Sequence, residues 1–165
     1  MPVVDFSAWE PARLLFDRTG MGRAAMARSA EWEPTPPDYA GESGFTWHDV
    51  LHAGMALRRG RPWQSEWYIH RIRNRALRLA SERRGSYAEF FDYVDDLPPE
   101  ERQPLEASLV GSLTADALAD ALEVATRGYL AELRRGDPDL ADRLGPTLVD
   151  FLTTLREQAG GSFPE

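Results

Sequence analysis

From Pro62 to Arg84 the chain runs for about six turns of helix with no glycine and with a single proline at its start. Pro62 suits the first helical position, where the amide has no intrahelical partner to lose, and Gly85 suits the stop. Projected at 100° per residue, the stretch divides into three stripes rather than two. Ile69, Ile72, Ala76, Leu79 and Ala80 form an apolar stripe expected in the core. Arg71, Arg75, Arg78 and Glu82 form a charged stripe expected in solvent. Trp63, Glu66, Trp67, His70, Arg73, Asn74 and Leu77 form a mixed stripe between them. A helix that needs only a core face and a wet face does not need the third.

Such a helix needs others to cover its apolar side, and the sequence supplies them. Thr46 with Asp49 approximates a capping box, so a helix is expected from Thr46 to Gly60. Asp96-Leu97-Pro98-Pro99 opens another, with Glu100 and Glu101 in its first turn. Thr114–Arg135 repeats leucine and alanine at helical spacing and stops at Gly136. Asp137-Pro138 caps a last helix, interrupted or kinked at Gly145-Pro146. Ser86–Val94 reads as a short aromatic helix. Residues 1–45 are irregular: Val3–Phe6 and Ala12–Asp17 are strand-like runs, Met21–Ala30 a short helix, and Glu33-Pro34-Thr35-Pro36-Pro37 begins a linker reaching Gly44. The expectation is all-α, an antiparallel bundle of five to six helices over residues 46–158, with an N-terminal arm (1–45) and a frayed tail (159–165).

Charge is unevenly spread. The net charge of −8 argues against general nucleic-acid binding. Yet residues 47–84 carry nine arginines against Asp49, Glu66 and Glu82, while residues 85–165 carry seventeen acids against six arginines. A basic band in an acidic protein favours a small anion such as a nucleotide, or is neutralised within the fold. Cysteine and lysine are both absent, which excludes disulfides, thiolate sites and a lysine Schiff base. No apolar run approaches the roughly 18 residues needed to span a bilayer, and the N-terminus lacks a secretory pattern. No membrane association and a cytoplasmic location are therefore expected.

The side chains able to carry chemistry gather in the same region. His48 and His52, at i and i+4, have the zinc-binding spacing of HExxH helices, with Asp49 in place of glutamate. Asp49 is short for that role and has a capping role, and no metal site is assigned. Glu66 is the candidate general base, with Arg73 as charge stabiliser; alternatively the two form a simple ion pair. Trp63, Trp67, His70 and Asn74 are candidate ligand-binding residues on the same face, with His48 and His52 opposite. Gly85-Ser86 followed by Asp92, Asp95 and Asp96 is a decoy for a nucleotidyl-transfer signature: the spacing is too short and Asp-x-Asp is missing.

The segment WHDVLHAGMALRRGRPWQSEWYIHRIRNRALRLASERRG, followed by Phe91-Asp92 and Asp96-Leu97-Pro98, nevertheless resembles the C-terminal helical domain of bacterial nucleotidyltransferases of the aminoglycoside and lincosamide type. The carriers are a Trp-His helix start, an R-G-R-x-W-x-x-E turn into an arginine-bearing helix, and a D-x-L-P loop. They cover about residues 46–135. Ala12–Gly20 (ARLLFDRTG) is similar to the last strand of that family's catalytic domain. The catalytic GS motif and paired aspartates have no counterpart here. The resemblance therefore implies a helical fold and half of a pocket for a nucleotide or an aminoglycoside-like antibiotic. It implies transferase chemistry only with a separate catalytic chain, which would bring ATP and magnesium. Two alternatives stand beside it. One is a repurposed acid–base cyclase or isomerase of secondary metabolism using Glu66. The other is a non-catalytic homodimer or toxin–antitoxin-like interaction protein.

Overall fold

The computed structural model describes residues 14–26, 36–86, 91 and 94–159. The chain divides into two compact units, Met1–Thr35 and Pro36–Glu165. In the first, Leu14–Gly20 is irregular and α1 (Met21–Met26) follows. The expected strand over Ala12–Asp17 is not formed in its described part. Its backbone is turned by Asp17, whose carboxylate accepts from the Arg23 amide at 2.9 Å and the Thr19 amide at 3.3 Å. The expected strand at Val3–Phe6, most of the proline-rich stretch, most of the helix at Ser86–Val94 and the tail after Ala159 lie outside the described residues.

The second unit is all-α. Its helices are α2 (Tyr39–Arg58), α3 (Pro62–Arg83), α4 (Pro99–Glu106), α5 (Ala115–Gly136) and α6 (Pro138–Ala159). No strand occurs among the described residues. Short connections make α2 and α3 one antiparallel hairpin and α5 and α6 another. α3 and α5 carry most of the core. Val50, Ile69, Ile72, Leu79, Leu118, Leu122, Tyr129 and Leu133 are all fully buried between them and α2.

Two local expectations hold, the Asp137 cap and the start of α4, and α5 adds a cap that its periodicity does not indicate. Thr114 caps α5, accepting from the Ala117 amide at 3.4 Å. Asp137 caps α6, accepting from the Leu140 amide at 3.0 Å. Pro99 opens α4 with Glu100 and Glu101 in its first turn. Across Gly145-Pro146, however, α6 is a single helix rather than an interrupted one.

The start of α2 needs a larger correction. The helix begins at Tyr39, and its cap is Asp38, whose carboxylate accepts from the Gly41 amide at 2.9 Å. Thr46 is not a cap. It is fully buried within the helix, with its hydroxyl donated to the Glu42 carbonyl at 2.8 Å. The bundle therefore begins near Pro36 rather than at residue 46.

The charged stripe of α3 is also not a solvent face. Arg71 Nε donates to Asp49 Oδ2 at 3.0 Å, and Arg75 Nε lies 2.7 Å from Glu42 Oε2. Arg78 pairs with the same Glu42 carboxylate and approaches Glu82 at 3.4 Å. Asp49, expected as a capping acid, is thus a buried anion partnering α3. Three arginines of the basic band, Arg71, Arg75 and Arg78, are paired with acids of α2 and of α3 itself rather than with the acidic second half.

A second polar cluster ties the ends of the helices. Glu132 on α5 is only 2% exposed. It accepts from Tyr39 Oη at 2.9 Å and from Arg83 Nε and Nη2 at 2.8 and 3.1 Å. Arg83 also donates to Glu101 on α4 at 2.8 Å, and Arg84 clamps the same carboxylate through two bonds. Burial, and then the Glu132 charge, push the Tyr39 hydroxyl well above its ordinary pKa, so it stays a donor.

Candidate functional site

The mixed stripe of α3 separates on folding into residues that turn outward and residues that converge. Trp63 is 75% exposed and Trp67 half exposed. Leu77 and Arg73 are buried, Arg73 at 8% exposure. Glu66 is half-buried. Desolvation lowers the Arg73 pKa, and the Glu66 charge opposes that effect more weakly. No ion pair includes Arg73 among the described residues. Its Nη1 instead donates to the Ser108 carbonyl at 2.9 Å, and its Nη2 lies 2.8 Å from His70 Nδ1.

That last contact fixes the histidine. A guanidinium has no acceptor, so Nδ1 of His70 must be the unprotonated nitrogen and Nε2 must carry the proton. The side-chain amide of Asn74 lies 2.8 Å from Nε2. The atom that faces the ring there is Asn74 Nδ2, so with Nε2 protonated the amide satisfies the ring only after a half-turn that brings Oδ1 to it. Arg73, His70 and Asn74 thus form one hydrogen-bonded unit, from residues spaced three and four apart on one helix face.

Two adjoining cavities open beside this unit. One is a groove of about 540 Å³ lined by Trp67, His70, Arg71, Asn74, Arg75, Arg78 and Phe91. Among the described residues its lining includes no carboxylate. The Arg71 guanidinium lies over the Trp67 ring, 4.6 Å from its centroid. The other is an apolar pocket of about 300 Å³ against α4, walled by Leu77, Phe91, Val94, Leu105 and Leu109, with Arg73 and Arg102 among its polar groups. Asn74 and Phe91 belong to both. Phe91 has φ of +65°, a left-handed conformation that bulky residues rarely adopt. Strain of that kind costs about 1–3 kcal/mol and clusters at ligand sites.

No family model, curated protein or solved structure matches this chain. Its chemistry rests on the geometry of these side chains.

His48 and His52 lie away from the groove lining, in an aromatic ladder on α2. His48 stacks on Trp47 at 3.7 Å and bonds the Gly44 carbonyl through Nδ1 at 2.9 Å. His52 stacks on Tyr68 at 5.1 Å, and Tyr68 meets Trp67 edge-on at 4.8 Å. The two histidine rings are 6.5 Å apart. No group of three metal-ligating residues assembles among the described residues. Of the residues singled out from sequence, Trp67, His70, Arg73 and Asn74 border a cavity. Glu66, Trp63, His48 and His52 line neither cavity.

Sequence reasoning does not find Phe91, Leu105 and Leu109 as site residues, and it assigns Arg71, Arg75 and Arg78 to a wet face. The arginines carry a usable signal: three at i, i+4 and i+7 on one helix face. The wall from α4 carries none, since its leucines look like any core leucine.

Proposed function

We propose that this protein binds a small anionic molecule with an aromatic part, a nucleotide being the type, in the arginine groove of α3. One observation carries the reading: the groove gathers His70, Arg71, Arg75 and Arg78 with the Trp67 and Phe91 rings, and no carboxylate lines it among the described residues. Arg71, Arg75 and Arg78 are partly occupied by Asp49, Glu42 and Glu82. A guanidinium has five N–H groups in a fork, however, so donors remain for phosphate oxygens. Stacking of a base on Trp67 or Phe91 adds an affinity independent of charge. The resemblance to nucleotidyltransferase helical domains supports a nucleotide. An aminoglycoside-like ligand fits less well, because its ammonium groups would meet the arginines. Transfer chemistry would still require a separate catalytic chain with its magnesium.

Titration calorimetry with AMP and ATP, with and without magnesium, tests the reading. Binding should weaken several-fold in the exposed-ring variant Trp67→Ala and in Arg78→Gln. Absence of binding by either nucleotide would overturn it.

A second reading, an interaction protein or homodimer, is favoured by the exposure of Trp63 and Phe45 on the α2–α3 hairpin. Light scattering that finds a monomer at all concentrations would count against homodimerisation. The acid–base alternative is tested by Glu66→Gln, which must abolish any turnover found.

A further inference from the structure

The apolar pocket beside the groove contains a feature that neither packing nor the proposed nucleotide site uses. Arg73 is a permanently charged group at 8% exposure, with no carboxylate in ion-pair contact among the described residues. The other arginines of α3, Arg71, Arg75, Arg78 and Arg83, each have a carboxylate. The Glu66 charge acts on Arg73 more weakly than burial does, without an ion pair; a buried cation without a paired anion is costly, and structures tolerate it where an anion completes the site. Two of the guanidinium's N–H groups are engaged, by Ser108 and His70, leaving the rest free. It lines a pocket whose remaining wall is mostly Leu77, Phe91, Val94, Leu105 and Leu109. Asp95 and Glu106 also border the pocket, but both are exposed, and Glu106 is already close to Arg102 at 3.9 Å.

We propose that this pocket is a second binding site, for a small carboxylic acid with an apolar aryl or acyl body. The carboxylate pairs with the free edge of Arg73 and the apolar body lies among the leucines and Phe91. The size agrees: about 300 Å³ is at the small end of ligand pockets. Arginine is also the side chain whose planar fork matches a carboxylate. His70 and Asn74 position Arg73, holding its Nη2 side and leaving its other edge to the ligand. Because Asn74 and Phe91 line both cavities, an acid here would lie beside any occupant of the groove. The pocket's occupancy does not depend on the groove taking a nucleotide.

The test is binding of phenylacetate, benzoate and octanoate, each against its uncharged amide, by ligand-observed NMR and calorimetry on the full chain. At least one acid should bind about tenfold more tightly than its amide, the effect of one charge-assisted contact. Arg73→Met should erase that preference while leaving weak binding of both forms. Should Arg73→Met not fold, Leu109→Trp fills the pocket from an exposed position and should abolish acid binding without touching the arginine. Saturable binding of AMP, if present, should survive Leu109→Trp. Equal affinity for acid and amide, binding unchanged in Leu109→Trp, or no binding of any of the three acids at millimolar concentration would overturn the proposal.

Discussion

Glu132 and Arg73, two of the buried charges of this molecule beside Asp49, are satisfied in opposite ways. Glu132 is surrounded by donors: Tyr39, two nitrogens of Arg83, and Arg135 at 3.5 Å. Glu132→Gln removes the charge that Arg83 pairs with, and should cost about 3–5 kcal/mol in urea denaturation. Tyr39→Phe deletes only one neutral donor and should cost about 0.5–1.5 kcal/mol. A ranking the other way would mean that the tyrosine, not the carboxylate, organises the cluster. Arg73 by contrast is hydrogen-bonded only to neutral groups, Ser108 and His70, and the Glu66 charge acts on it more weakly than burial, which is why it points to a ligand while Arg83 points to the fold. Sequence cannot separate the two arginines. They sit ten positions apart on one helix, and the difference lies in what other helices bring opposite them.

At the scale of the element, α2 is the helix whose sequence misleads most. Its buried face runs Tyr39, Ser43, Thr46, Val50, Ala53, Leu57, a regular helical stripe whose first half is polar. Periodicity in hydrophobicity detects only the second half, so Thr46 and Asp49 look like a helix start. α3 and α5, whose buried faces are mostly apolar, are legible to within a residue or two. The arginine stripe of α3 is legible as a stripe but not as half of an ion-pair seam, because Glu42 lies in what reads as linker. With the helix start at Tyr39, Asp38→Ala should cost about 1 kcal/mol as the loss of a cap, measured by thermal or urea unfolding. The glycines of the same helix make a sharper pair. A Cβ on Gly54 would come within 2.6 Å of the Phe151 ring, so Gly54→Ala should destabilise by about 1–3 kcal/mol through overpacking. Gly44 is exposed, and a methyl group added there would meet nothing within 4 Å, so Gly44→Ala should stabilise by about 0.5–1 kcal/mol. Denaturation midpoints moving in the same direction for both would contradict the packing of α2 on α6.

The whole bundle is held at one end by carboxylates, and that sets its response to acid. Hydrogen bonds from Arg84, and then Arg83, hold the Glu101 carboxyl below its ordinary range against the opposing effect of burial. A carboxyl depressed in the folded state contributes stability that is fully present above its unfolded value of about 4.3. The contribution is lost as pH falls through the folded value, because the unfolded chain then takes up the proton first. Glu82, pushed up by burial, acts in the opposite sense. Unfolding free energy should therefore fall as pH drops below about 4.3, and less steeply in Glu101→Gln. An unchanged slope in that variant would exclude Glu101 as a source of the acid sensitivity. The same cluster also sets an order of events during synthesis. Tyr39 and Glu132 are 93 positions apart, which at ribosomal speed is roughly 5–20 s of elongation. For that interval Tyr39 is without its acceptor, and Arg83, 49 positions before Glu132, is without that anion for about half as long. Only when α5 has left the ribosome can the first hairpin settle, so a nascent chain arrested before Glu132 should remain open to protease.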